Sequence, residues 1–254
     1  MAKQSNHPEL SVMQSSPTEG STFDLIQSES IKSVLIEEST AITHQSSHRI
    51  DKTSPKIVLA TLNARFFHTS FGLRYLYANL QELQQFCEIK EFIIQTRALD
   101  IVEQILASKP DIVGFGVYIW NIVETTDVVN LLKVIAPEIK VVLGGPEVSY
   151  ETEQQPIVAC ADYVLTGPAD ISFYQLCKDI INETPPDNKV LKSKPVPLEE
   201  IALPYEYYTD DDLKHRLLYV EASRGCPFKC EFCLSSLDKS STPFELTSFL
   251  EQME

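Results

Sequence analysis

The sequence predicts an α/β fold: a doubly wound parallel sheet of about five strands covered by helices on both faces, followed by the opening βα unit of a further domain. Three observations predict it. From residue 56 to residue 183, short β-branched runs alternate in regular order with amphipathic segments. Those runs are apolar at successive positions, as strands buried on both faces are, rather than alternating like half-exposed ones. A proline-rich break then precedes a new apolar run at residue 216.

The elements follow in order. KIVLATL (56–62) is the first strand, and residues 72–86 carry apolar side chains at helical spacing. KEFIIQ (90–95) is the second strand, with a helix over 98–108. DIVGFGVYI (111–119) is the third, continuously apolar, and its helix over 121–136 stops at Pro137, which cannot continue it. KVVLGG (140–145) is the fourth strand, a helix spans 150–159, DYVLTG (162–167) is the fifth, and a helix over 170–183 closes the series. This order predicts a Rossmann-like domain at 56–183. Residues 184–215 read as a linker with a short extended segment, 216–226 as a strand running into a cysteine loop, and 243–254 as the start of a helix. One strand and one helix cannot bury their own apolar faces, so the chain is expected to be a fragment of a larger βα domain at this end. Residues 1–55 are rich in Ser, Thr, Gln, Glu and His with only isolated apolar groups, and are expected to be a disordered leader.

Composition narrows the function. Lys and Arg number 21 against 36 Asp and Glu, a formal charge of −15, which argues against nucleic acid, whose binding needs clustered cations to replace phosphate counterions. No run approaches the roughly 20 apolar residues of a membrane span, and no secretory signal is visible, so a cytoplasmic protein is expected. Of six cysteines, Cys226, Cys230 and Cys233 crowd into eight residues. Ligation is the better reading for these than disulfides, whereas Cys87, Cys160 and Cys177 sit in apolar patterns as buried thiols. Soft thiolates at spacings of three and then two can wrap one face of an iron–sulfur cubane, and three ligands for four irons leave one iron open to a small molecule. Zinc sites generally add a second Cys pair downstream, and none follows; a zinc or redox protein is the weaker alternative.

CPFKCEFC (226–233) resembles the Cys-x3-Cys-x2-Cys loop of the radical SAM superfamily, including the aromatic Phe232 before the last cysteine. The resemblance implies a 4Fe-4S cluster on the three cysteines whose open iron chelates S-adenosylmethionine, with Phe232 against the adenine and Arg224-Gly225 allowing a tight turn into the loop. It also implies that residues 216–254 begin a partial TIM barrel, and that an electron donor such as flavodoxin or ferredoxin reduces the cluster.

In the first domain, Gly144-Gly145-Pro146 lies at the carboxyl end of the fourth strand, where open α/β sheets bind ligands and glycine permits close backbone approach. The first loop, NARFFHTSFG (63–72), places Asn63, Arg65 and His68 at the same edge, without the GxGxxG of a dinucleotide site. An α/β domain, a proline-rich linker and then this cysteine loop resemble the cobalamin-binding radical SAM proteins. That resemblance implies cobalamin over the carboxyl edge, with Gly116, Tyr118, Asn121, Gly144 and Gly145 as contacts. Two departures stand out: the Asp-x-His-x-x-Gly signature is absent around His68, and the Gly-Glu-Gly-Glu often found after the fifth strand is Gly167-Pro168-Ala169-Asp170. Tyr118 and Trp120 read equally well as packing aromatics. Asp162, Asp170 and residues 210–212 read as solvated residues or helix caps. The leading expectation is a cobalamin-binding radical SAM enzyme, or its front part, performing methylation or another radical modification of an unknown substrate; the alternative is a catalytically inert cobalamin-binding module.

Overall fold

The computed structural model describes residues 50–228, 230–233 and 240–253. The expected leader falls almost wholly outside them. Six parallel strands form the central sheet: β1 (Ile57–Asn63), β2 (Cys87–Ile93), β3 (Ile112–Gly116), β4 (Lys140–Gly144), β5 (Tyr163–Thr166) and β6 (Val190–Lys192), in the order β2-β1-β3-β4-β5-β6. Successive strand side chains point to opposite faces, and alternate buried residues enter two different cores. Val58, Ala60, Leu62, Val113, Phe115, Val141 and Leu143 face one core against α2 (Ala98–Ala107) and α3 (Ile122–Ile135). Ile57, Leu59, Ile112, Val142 and Leu165 face the other, against α1 (Phe71–Ala78) and α6 (Asp170–Ile181). This doubly wound arrangement is the one the sequence predicts.

Several details differ. The helix expected over 72–86 ends at Ala78, because Asn79 folds its amide onto the carbonyls of Tyr75 (2.9 Å) and Ala202 (3.0 Å) and Gln81 turns to a positive φ of 49°. A 3-10 turn covers the remainder. The helix expected over 150–159 is replaced by a 3-10 turn (Thr152–Gln154) and the short α5 (Pro156–Cys160), with a separate short helix, α4 (Pro146–Ser149), ahead of it; both helices start with a proline. A sixth strand appears inside the proline-rich linker: β6 is short and lies at the sheet edge, where a ladder tolerates neighbouring prolines.

After α7 (Asp210–His215) the chain does not form the long strand expected over 216–226. Leu217 makes one parallel bridge to His68, and regular structure resumes only in β7 (Ser223–Gly225), which pairs antiparallel with β8 (Ser241–Pro243) ahead of α8 (Leu246–Glu251). The run has strand periodicity, yet a strand needs a ladder, and Leu217 to Val220 stay substantially exposed. Residues 216–225 act instead as a strap laid along the carboxyl edge of the main sheet. No helix among the described residues is long and apolar enough to cross a membrane.

Candidate functional site

The strand order reverses between β1 and β3, and ligands of such sheets bind at the carboxyl ends around that switch point. Two cavities open there. The first, about 330 Å³, lies beyond β3, β4 and β5 on the α1/α6 face. Its floor is made of missing side chains. Gly116 pairs directly with Gly144 on the neighbouring strand, and Gly145 and Gly167 continue the bare surface. Gly145 has a φ of 113°, and a Cβ there would lie 2.3 Å from the Val117 carbonyl oxygen, so only glycine lets the two loops approach. At Gly144, by contrast, a Cβ would meet one atom within 4 Å, the Leu165 carbonyl oxygen at 3.9 Å. The space is real and unfilled by the fold.

Tyr75, Phe173 and Asp170 form the remaining wall, and Glu221 and Arg224 of the strap reach across the mouth. The Tyr75 hydroxyl is buried without a hydrogen-bond partner among the described residues. Burial, reinforced by the Glu221 carboxylate, pushes its pKa far up, so it stays a protonated donor. Buried polar groups are almost always satisfied; the Glu221 carboxylate of the strap interacts with this hydroxyl without a well-aligned hydrogen bond, and a ligand acceptor in the cavity would compete with it.

The second cavity, about 420 Å³, sits at the switch point itself between Asn63, His68, Thr69, Tyr118, Trp120 and Tyr219. The Tyr118 and Trp120 rings stack with centroids 4.6 Å apart and planes 9° from parallel, leaving the indole half-exposed. His68 Nδ1 shares a 2.6 Å hydrogen bond with the Tyr219 hydroxyl, and Thr69 Oγ1 donates to the Leu217 carbonyl (2.8 Å). The strap therefore borders both cavities.

Of the predicted contacts, the structure brings Gly116, Tyr118, Gly144 and Gly145 together around the first cavity. Asn121 is not at the edge. It is fully buried, donates to the carbonyls of Leu62 (3.0 Å) and Gly116 (3.2 Å), and accepts from the Tyr118 amide (2.8 Å), so it shapes the edge from below. Asp170 is neither solvated nor a cap: it is buried and makes a bidentate ion pair with Arg224 at 2.8 and 3.0 Å. Asp162 accepts from the Val141 amide (2.8 Å) and Lys133 (2.9 Å), tying β4 to β5. Asp212 does cap α7 with Thr209, and also joins a buried cluster with Arg74, Glu91 and Arg216 that anchors the strap's start.

Cys226 is half-buried, and Cys230, Cys233 and Phe232 are exposed. Among the described residues, no three His, Cys, Asp or Glu side chains converge as a metal site. Gly225 has a φ of 85° and a Cβ there would lie 2.0 Å from the Ser240 carbonyl oxygen, so the tight turn expected before Cys226 is present. Sequence reasoning missed Tyr75, Glu221 and the Asp170–Arg224 pair. The one available signal was the single acid retained in the loop after β5.

The family model of the B12 binding domain matches residues 57–176. An uncharacterised methyltransferase of Pyrococcus horikoshii is 30% identical over 187 residues, 65% of this chain and 40% of the relative. The cobalamin-dependent radical SAM methyltransferase TokK of Streptomyces tokunonensis is 27% identical over 168 residues, 55% of this chain and 23% of that protein. The chain thus spans less than half the length of these relatives. In solved structures, the cobalamin-dependent S-adenosylmethionine radical enzyme OxsB shares the fold, with a TM-score of 0.58, 16% identity, and coverage of 80% of this chain and 31% of that one.

Proposed function

We propose, from the premise that residues 57–176 match the B12 binding domain, that this chain binds a cobalamin at the carboxyl edge of its sheet as all or part of a cobalamin-dependent radical SAM methylating enzyme. The observation that carries the reading is the glycine-floored cavity. Its position, its volume of about 330 Å³ and the Tyr75 hydroxyl on its wall fit the planar nucleotide base of a corrinoid tail, and single added side chains would fill it. Gly116, Gly144 and Gly145 would hold the tail by backbone approach, Tyr75 would donate to it, and the Tyr118–Trp120 stack would face the macrocycle. When bound, a cobalamin supplies a cobalt centre able to carry a methyl group. The chain's own part is to keep the tail dry between α1, α6 and the sheet, and to hold Tyr118 in place through Asn121.

The thiolate donor set of Cys226, Cys230 and Cys233 supports a 4Fe-4S cluster that binds S-adenosylmethionine. The three thiols are not gathered in this structure, so that half of the reading rests on the spacing of the motif and no step is drawn through it. The short antiparallel β7–β8 ribbon favours a second reading, a corrinoid-binding module without turnover.

Equilibrium dialysis with hydroxocobalamin, and anaerobic reconstitution with iron and sulfide, test both. Corrinoid retention, a visible cluster spectrum and its change on adding S-adenosylmethionine support the enzyme. Corrinoid retention without a cluster supports the module. Failure to retain any corrinoid refutes both.

A further inference from the structure

The cysteine loop is joined to the cavity by one residue. Arg224 lies two positions before Cys226, and its side chain is held from every direction. Both terminal nitrogens pair with Asp170 (2.8 and 3.0 Å), Nε donates to Glu221 (3.0 Å), and the guanidinium packs 4.6 Å from the Tyr75 ring centroid and 5.7 Å from that of Phe244. Asp170 is fixed in turn as the first residue of α6, and its carboxylate is largely buried. Such a pair tolerates neither partner's loss, because the survivor is left charged and desolvated. From Arg224 the chain has little freedom before the first thiol, since Gly225 is wedged against Ser240. Asp170, Arg224, Glu221 and Tyr75 also all line the glycine-floored cavity.

We infer that Asp170 is a positioning residue for the cysteine loop, acting through Arg224, and that a ligand in the cavity is thereby coupled to Cys226. The coupling half rests on the corrinoid reading of the cavity; the positioning half does not. An occupant packs against the same guanidinium that sets where the loop starts, so filling the cavity restrains the loop. By linkage, whatever orders the loop tightens binding in the cavity by the same factor.

Alkylation of individual cysteines by iodoacetamide, followed by mass spectrometry on the full cluster-free chain at one pH, tests both halves. Without ligand, Asp170→Asn is expected to raise the labelling rate of Cys226 by at least about fivefold, the lower end of typical coupling, with Cys177 unchanged as a sign that the core is intact. Adding hydroxocobalamin to the wild type is expected to slow Cys226 by at least about fivefold, and Asp170→Asn to lose that protection while still retaining corrinoid. The double variant Asp170→Asn/Arg224→Gln removes the stranded charge. It is expected to recover the melting temperature lost by the single variant but not the protection of Cys226. Labelling of Cys226 at the wild-type rate in both variants would overturn the positioning role. Unchanged Cys226 labelling in wild-type protein that demonstrably holds corrinoid would overturn the coupling. If no corrinoid is retained, the proposed function and the coupling fall together, and the unliganded rates still decide the positioning.

Discussion

Two adjacent glycines are expected to respond in opposite ways, and the contrast separates binding from folding. At Gly144 an added Cβ has a single neighbour within 4 Å, at 3.9 Å, and the residue ends strand β4, where a β-branched side chain is well suited. Gly144→Val should therefore leave stability unchanged or raise it by about 0.4–1 kcal/mol, as loss of glycine's freedom in the unfolded chain does elsewhere. Its methyl groups occupy the cavity floor beside Gly116. A ligand meeting them suffers overpacking of about 1–3 kcal/mol, which is about a 5- to 150-fold weaker Kd. At Gly145 the φ of 113° and the 2.3 Å approach to the Val117 oxygen leave no room. Gly145→Ala should cost about 1–3 kcal/mol of stability through backbone strain alone. Trp120, the single tryptophan, stands at the edge, so quenching of its fluorescence by hydroxocobalamin gives the affinity and thermal melts give the stability. A Gly144→Val protein that melts like the wild type and binds corrinoid within about twofold of it would remove the cavity as the seat of the ligand.

Three further outcomes follow from the buried polar groups. Asn121→Ala strips partners from the Leu62 carbonyl and the Tyr118 amide and should lower stability by about 1–3 kcal/mol in denaturant titration. Glu91→Gln weakens a carboxylate that faces Arg74 at 3.1 Å and Arg216 at 2.8 Å and should cost about 3–5 kcal/mol, whereas Glu82→Gln in the exposed pair with Lys178 should change the melting temperature little. For Asp212, burial alone would raise the pKa, but the Thr209 amide and Arg74 outweigh it and hold the carboxyl below its ordinary 3.8. Its stabilising contribution is thus present above about pH 4 and lost as pH falls through the lowered value. Melting curves between pH 2 and 5 should show an acid-side loss that Asp212→Asn removes.

What the chain makes legible depends on how local the cause is. Burial on both faces is written in continuous apolar runs such as Ile57–Asn63, and those strands lie within a few residues of where the runs put them. Glycines at 144 and 145 are readable as a backbone-approach site because their positions at a strand end carry the meaning. The helix stop at Asn79 was not readable, because it depends on a hydrogen bond to Ala202, which lies 123 residues away. Nor was the fate of residues 216–222. Their apolar spacing is that of a strand, yet strand structure belongs to a pair, and here Leu217 finds Phe67 and His68 of the first loop. Asn121 misled for the same reason: a polar residue after a buried strand reads as a ligand contact, whereas three backbone groups consume its amide.

The loop after β5 shows how a departure from an expected pattern acquires a physical meaning. The resemblance leads to an expectation of Gly-Glu-Gly-Glu there, and Gly167-Pro168-Ala169-Asp170 keeps a single acid. A carboxylate at this place, at the amino end of α6 and beside a cavity, is well placed to meet a polar ligand group. In this chain it is not available for that, because both its oxygens are taken by Arg224. The Tyr75 hydroxyl is a donor on the cavity wall and the floor is bare backbone, so affinity there comes from shape and dry burial more than from charge. A site of that kind should bind its ligand with weak dependence on ionic strength, since no exposed charge pair is made or broken. If corrinoid affinity instead falls steeply between low and high salt, the Asp170–Arg224 pair opens on binding, and the strap is displaced by the ligand rather than restrained by it.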